Sequence, residues 1–142
     1  MKIIARVGTF DSGKDSSLLN QSVSKVLNAY LISEEELINN LQSIKTGECI
    51  FIKFLEELDG GLHPKDQREL MDKVEAIESQ GTFIFTTNSP YMIDELKMSQ
   101  VQVWYKGKYK LLSEHPDAEW GSKKLTTGEF WDANGEDWEG IK

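Results

Sequence analysis

A chain of 142 residues, 39% hydrophobic and 28% charged, is expected to fold as one soluble globular domain with a real core. No run of 18 or more apolar residues occurs, which excludes a membrane-spanning helix, and one cysteine (Cys49) with two histidines offers neither a disulfide framework nor a transition-metal site. The net charge is −8, of which residues 113–142 supply −5 through eight acidic residues against three lysines; a surface of that sign repels phosphate backbones and disfavours broad nucleic-acid binding.

The opening "MKIIARVGTF" holds too short an apolar run, and no small-residue cleavage site, for a secretory signal, so a cytoplasmic setting is expected. Within it, "KIIARV" reads as a short strand, and a Gly-rich turn follows directly. Leu18, Leu19, Val23, Val26, Leu27 and Tyr30 then recur at spacings that predict an amphipathic helix. Ser33, with Glu36 three residues on, is a capping-box signature for a second helix that turns Leu37, Ile38, Leu41 and Ile44 inward and ends at Thr46-Gly47. "CIFIKFL" reads as a mostly buried strand, in which Lys53 is out of place.

After the loop "ELDGGLHP", Pro64 suits the first turn of a third helix, with Leu70, Val74 and Ile77 inward and Gly81 closing it. "TFIFTT" is a further buried strand, and Ser89-Pro90 starts a short helix with Ser89 as its cap. "VQVWY" and "KYKLL" flank Lys106-Gly107 as a hairpin. This order predicts a single α/β domain over residues 1–142, with helices flanking a parallel central sheet. Three of the four tryptophans (Trp120, Trp131, Trp138) and Phe130 lie in the last 30 residues. That tail is expected to fold against the domain, and its Gly, Asp and Asn content predicts irregular structure with little helix.

The chemistry concentrates at strand ends. Gly8-x-x-x-x-Gly13-Lys14 stands between a strand and a helix, the context in which such a loop cradles phosphate. Backbone N–H groups and a helix N-terminus offer partial positive charge, the glycines allow positive φ and close approach, and an exposed Lys14 adds a full charge. The candidate phosphate-binding residues are Gly8, Asp11, Ser12, Gly13, Lys14, Asp15 and Ser16. The plain structural alternative is a Gly-rich turn whose helix is capped by Asp11 or Ser12. Asp15 occupies the place of a Mg²⁺-binding hydroxyl; it could ligate the metal, but its charge repels phosphates.

Glu56 and Glu57 follow a buried strand, at the edge where open α/β sheets bind ligands. One could hold a metal and the other orient or deprotonate a water, while the plain alternative is a solvated pair. "TTNSP", residues 86–90, brings Thr86, Thr87 and Asn88 to a second strand end.

Together these segments resemble the ATP-binding-cassette class of ATPases, in the AAA-type branch of overcoming-lysogenization-defect-like and DNA-repair-like proteins. "GTFDSGKDS" resembles the Walker A loop, "FIKFLEELDGGLHP" the Walker B strand and D-loop, and "GTFIFTTNSPYMIDEL" the switch segment. "LSEHPDAEW" with "GEFWDANGEDW" is similar to the tail of some members. The resemblance spans residues 3–20 and roughly 47–138 and implies a P-loop NTPase-like fold with ATP and Mg²⁺ as ligands. It places Gly8, Gly13 and Lys14 on the phosphates, Glu56 (with Asp15) on Mg²⁺, Glu57 as general base and Asn88 at the γ-phosphate, with His63 and Pro64 mainly structural.

The departures are specific. Glu56 stands for Asp, Leu58 for Pro, and Asn88 for the switch histidine. "LISEEE" stands where the signature motif belongs, and only 18 residues separate Lys14 from Ser33, where relatives carry a helical lobe. The resemblance therefore implies an ATP-binding protein with weak or partner-dependent hydrolysis. The alternative is an inactive pseudo-ATPase that regulates a larger ATPase or nuclease system. The implied partners are nucleotide and either a second copy or such a larger subunit, with no membrane and no strong signal for direct nucleic-acid contact.

Overall fold

A computed structural model describes residues 1–8, 12–14, 25–28, 33–53, 64–134, 138 and 140. The strands are β1 (Lys2–Val7), β2 (Lys25–Asn28), β3 (Cys49–Lys53), β4 (Thr82–Thr86), β5 (Val101–Tyr105) and β6 (Lys108–Leu111). They form one sheet in the order β2-β3-β4-β1-β5-β6, parallel throughout except for the antiparallel β5–β6 hairpin. The helices are α1 (Glu34–Ser43), α2 (Pro64–Glu75), α3 (Pro90–Ile93), α4 (Ala118–Lys124) and α5 (Thr127–Asn134). Short 3-10 turns at Met98–Gln100 and Leu112–Glu114 bracket the hairpin. The α/β class with a mostly parallel sheet is as the sequence predicts.

Strand alternation divides the buried residues into two sets. Ile3, Ala5, Val7, Ile50, Ile52, Phe83, Phe85, Val101 and Val103 join Leu37, Leu41, Leu70, Met71, Val74, Ile93, Phe130 and Trp131 in one large core. Every described helix therefore packs on the same sheet face. The opposite face carries a smaller cluster of Ile4, Cys49, Phe51 and Ile84. Because side chains alternate along a strand, Arg6 and Thr86 belong to this second face, two residues beyond Ile4 and Ile84.

The local signals are read out as expected where they are strongest. Ser33 accepts the Glu36 N–H at 3.1 Å and opens α1, and Pro64 begins α2. Gly47 takes φ 87° in the turn that leads to β3. Lys53 is the last residue of β3, at the sheet's carboxyl edge, which removes the difficulty of a lysine in a central strand.

Two expectations are corrected. The helix predicted as far as Tyr30 does not include Lys25–Asn28, which is the edge strand β2, with Val26 opposite Phe51 and Leu27 opposite Ile52. A few apolar residues at mixed spacing suit either element, and here the unpaired edge of β3 decides. Leu18, Leu19, Val23 and Tyr30 lie outside the described residues.

The tail, expected to be irregular, is helical. Thr126 and Glu129 form a reciprocal cap at the start of α5: the Thr126 N–H donates to Glu129 Oε1 at 2.9 Å, and the Glu129 N–H donates to Thr126 Oγ1 at 3.1 Å. Hydrogen bonds from Thr126, first its backbone N–H and then its side chain, hold the Glu129 carboxyl below the usual carboxylate range. The glycines of this segment serve close packing instead of breaking helices. A Cβ on Gly121 would lie 2.3 Å from the Phe130 ring, and one on Gly128 would lie 2.1 Å from the Pro90 carbonyl oxygen. The tail does fold against the domain, with Phe130, Trp131 and Trp138 buried, whereas Trp120 remains 58% exposed.

Gly128→Ala is expected to cost about 1–3 kcal/mol, because the clash is with backbone and α5 must shift from α3. The urea midpoint measures it; an unchanged midpoint would show that this helix contact is looser than described.

Candidate functional site

Parallel strands place their carboxyl ends along one edge of the sheet, where open α/β sheets form ligand crevices. The ends of β1 and β4 are joined there: Thr87 N–H donates to the Arg6 carbonyl at 3.0 Å, and Gly8 N–H donates to Asn88 Oδ1 at 3.0 Å. Only the oxygen of an amide can accept from an N–H, so this bond fixes which way the Asn88 amide is turned. One residue on, Ser89 donates through Oγ to Gln67 of α2, and its N–H is held by Thr87 Oγ1 at 3.0 Å. Ser89 thus occupies the cap position of α3 without a side-chain cap, a correction to its expected role.

The described residues of the loop after β1, Gly8 and residues 12–14, contact one another closely. Gly8 and Gly13 have φ of 150° and 94°, and a Cβ on Gly8 would lie 2.7 Å from both Ser12 Oγ and the Trp104 carbonyl oxygen. Both positions therefore require glycine. Ser12 Oγ accepts the Lys14 N–H at 3.3 Å, and Lys14 Nζ reaches back to the Gly8 carbonyl at 2.6 Å. Lys14 is only 3% exposed, which corrects the expectation of an exposed lysine. Its short bond to the start of the loop draws the ammonium inward.

The β5–β6 turn braces the loop from outside. Lys106 and Gly107 take φ of 50° and 77°, a two-residue left-handed turn, and the Gly107 N–H donates to the Ser12 carbonyl at 2.8 Å. Gly13 lies against this turn, with space for a Cβ limited to 3.0 Å from Gly107 Cα.

Beneath the loop is a residue whose importance the sequence reading missed. Arg6 is 2% exposed on the second face of β1, with its guanidinium carbon 5.0 Å from the Phe51 ring centre and 4.9 Å from that of Trp104. Its Nη1 donates to the Lys14 carbonyl at 3.3 Å. The signal available was a charged residue inside an otherwise apolar strand, "KIIARV". Cys49 shares this face: burial pushes its thiol pKa up, and the Arg6 charge opposes that only in part.

Thr86, opposite Arg6 on β4, is fully buried, and its hydroxyl has no hydrogen-bond partner among the described residues. An orphaned buried hydroxyl is costly, whereas an isosteric methyl is not. Thr86→Val is therefore expected to leave stability unchanged or raise it by about 1 kcal/mol in urea unfolding. A loss of stability would show that the hydroxyl is paired in solution.

Of the residues expected at the site, the structure brings together Gly8, Ser12, Gly13, Lys14 and Asn88. Asp11, Asp15, Ser16, Glu56 and Glu57, and with them both expected metal ligands and the expected base, lie outside the described residues, as does His63. The strand that precedes Glu56 and Glu57, β3, is separated from β1 by β4 alone. Among the described residues, no helix is long and apolar enough to cross a membrane. No family model, curated protein or solved structure matches this chain.

Proposed function

We propose that this chain is an ATP-binding protein of the ATP-binding-cassette type, a compact P-loop NTPase-like domain with slow or partner-dependent hydrolysis. The observation that carries the reading is the Lys14 ammonium, folded back 2.6 Å from the Gly8 carbonyl, inside a loop whose two glycines leave no room for side chains. Such a loop suits an anion better than it suits a simple chain reversal, since a turn needs no buried lysine. Phosphates would meet Gly8, Ser12, Gly13 and Lys14 here, with Asp11, Asp15 and Ser16 completing the loop. Mg²⁺ would be held by Glu56 and Asp15, and Glu57 would act on water. A second copy of the chain, or a larger ATPase or nuclease subunit, would supply what the short form lacks.

Calorimetric titration with ATP, with and without Mg²⁺, tests this reading. Saturable binding that Mg²⁺ alters is expected, and no heat at millimolar ATP would overturn it.

A second reading, an inactive pseudo-ATPase that binds nucleotide without turnover, is favoured by the use of Asn88 Oδ1 as an anchor for Gly8. The residue expected at the γ-phosphate is already committed in part to the loop. Phosphate release by Asn88→His separates the two: a gain means a site one residue short of activity, and no gain with ATP bound means a protein that acts by binding.

A further inference from the structure

We propose that the β5–β6 hairpin is a contact surface for single-stranded nucleic acid, with Lys106, Lys108 and Lys110 on the phosphates and Tyr109 as the platform for a base. The inference is independent of the nucleotide reading, since it needs neither ATP nor the loop after β1.

Three lysines fall within five residues here, all of them exposed, in a chain whose net charge is −8. None of the three forms an ion pair with a described residue, whereas Lys73 and Lys123 face Glu34 and Glu119. Lys106 Nζ instead lies 5.3 Å from the centre of the Tyr105 ring, and Lys110 Nζ lies 5.8 Å from that of Trp138. A cationic stretch left without carboxylates on an otherwise acidic protein suits an anionic partner.

Strand geometry says which kind of anion. Lys108 pairs with Tyr105 and Lys110 with Val103, so both lysines stand on the face of the large core. Tyr109 pairs with Trp104 and stands on the opposite face. Lys108 and Lys110 are two residues apart, about 7 Å at the usual strand rise, close to the step between phosphates of an extended strand. A single strand lying along the β6 edge then keeps its phosphates on one side and turns its bases to the other, over Tyr109.

Tyr109 is suited to receive a base. It is 37% exposed, and its ring lies 5.0 Å from that of Trp104, which is 3% exposed. Trp104 is itself held, because its indole N–H donates to Gln102 Oε1 at 3.1 Å and the Arg6 guanidinium carbon lies 4.9 Å from its ring centre. A supported aromatic ring stacks on any base, which gives affinity with little sequence preference.

Lysines on an edge strand also discourage pairing with another chain. That role accounts for the charge and not for Tyr109. The edge is moreover already guarded, because the Leu111 N–H donates to Glu114 Oε2 at 2.6 Å, and the same bond opposes an acidic peptide that would add as a further strand. A duplex keeps its bases stacked on one another and away from Tyr109, so the single strand is favoured.

Fluorescence anisotropy with short oligothymidylate and oligouridylate tests the proposal on the full chain, and binding of either supports it. The logarithm of affinity should fall with that of salt concentration with a slope near −2, since each of three lysines contributes about 0.7. The triple variant Lys106→Asn, Lys108→Gln, Lys110→Gln should bind about tenfold or more weakly at low salt, with a nearly flat slope; asparagine at 106 tolerates the φ of 50°. Tyr109→Leu should weaken binding about fivefold or more and leave the slope unchanged. Lys123→Gln with Lys124→Gln, on α4, should change nothing. No binding by wild type at low salt overturns the proposal, as does an equal loss in the α4 variant, an unaffected Tyr109→Leu, or a duplex bound as tightly as the single strand. Polyglutamate binding that the triple variant abolishes, without oligonucleotide binding, assigns the hairpin to an acidic peptide and also overturns it. If a hairpin variant does not fold, amide chemical shifts of wild type titrated with oligothymidylate decide: changes centred on residues 105–110 support the surface, and changes confined to other residues overturn it.

Discussion

Lys14→Met should weaken ATP binding by thirty-fold to several thousand-fold, the range expected when one member of a largely desolvated charge pair is removed, about 2–5 kcal/mol. Methionine is preferable to alanine because Lys14 is buried, so its aliphatic stem contributes packing that truncation would also remove. Some loss of stability is still expected. The ammonium donates to the Gly8 carbonyl, and a hydrogen bond from a charged donor contributes about 1.5–3 kcal/mol. Affinity should therefore be measured well below the variant's thermal midpoint, with circular dichroism confirming the fold. Equal binding by wild type and variant would remove the phosphate-loop reading altogether.

Asn88 allows stability and binding to be separated at one position. Asn88→Asp keeps the oxygen that accepts the Gly8 N–H, so the junction between β1 and β4 should persist and the urea midpoint should change little. The new carboxylate would stand beside bound phosphates, and a like charge roughly 8 Å away costs about 2 kcal/mol at an effective dielectric of about 20, or about thirty-fold in affinity. Asn88→Ala should behave in the opposite way. Losing the acceptor strands the part-buried Gly8 N–H and costs about 1–3 kcal/mol of stability, while bringing no repulsive charge. If Asp and Ala weaken ATP equally, Asn88 acts only through the loop, and its neighbourhood is not where phosphate sits. If Asn88→Asp binds ATP normally, the crevice between β1 and β4 is not the phosphate site.

Much of this protein could be read from local chemistry in the sequence. Ser33 with Glu36, Pro64, the apolar run beginning at Cys49 and the Lys106-Gly107 hairpin each act over a few residues, so their outcome needs little from the rest of the chain. The spacing of Gly8, Gly13 and Lys14 is of the same kind: it announces a loop with positive φ, and both glycines adopt one. Where a local signal had two solutions, the sequence left the choice open. Val26 and Leu27 fit a helix until the edge of β3 offers backbone partners, and the glycines of the tail suggest irregular structure until Phe130 and Pro90 come to rest against them.

Only the tertiary structure decided what surrounds the loop. Arg6, Phe51 and Trp104 come from three strands, and no spacing in the sequence announces their stack. Asn88 lies 80 residues from the Gly8 N–H that it accepts, and the hairpin that braces Ser12 comes from the end of the sheet. Strand order created these contacts. Placing β4 and β5 on either side of β1 brings Asn88 and Trp104 to the same loop, and a pairing of that range is set by the packing of the whole sheet.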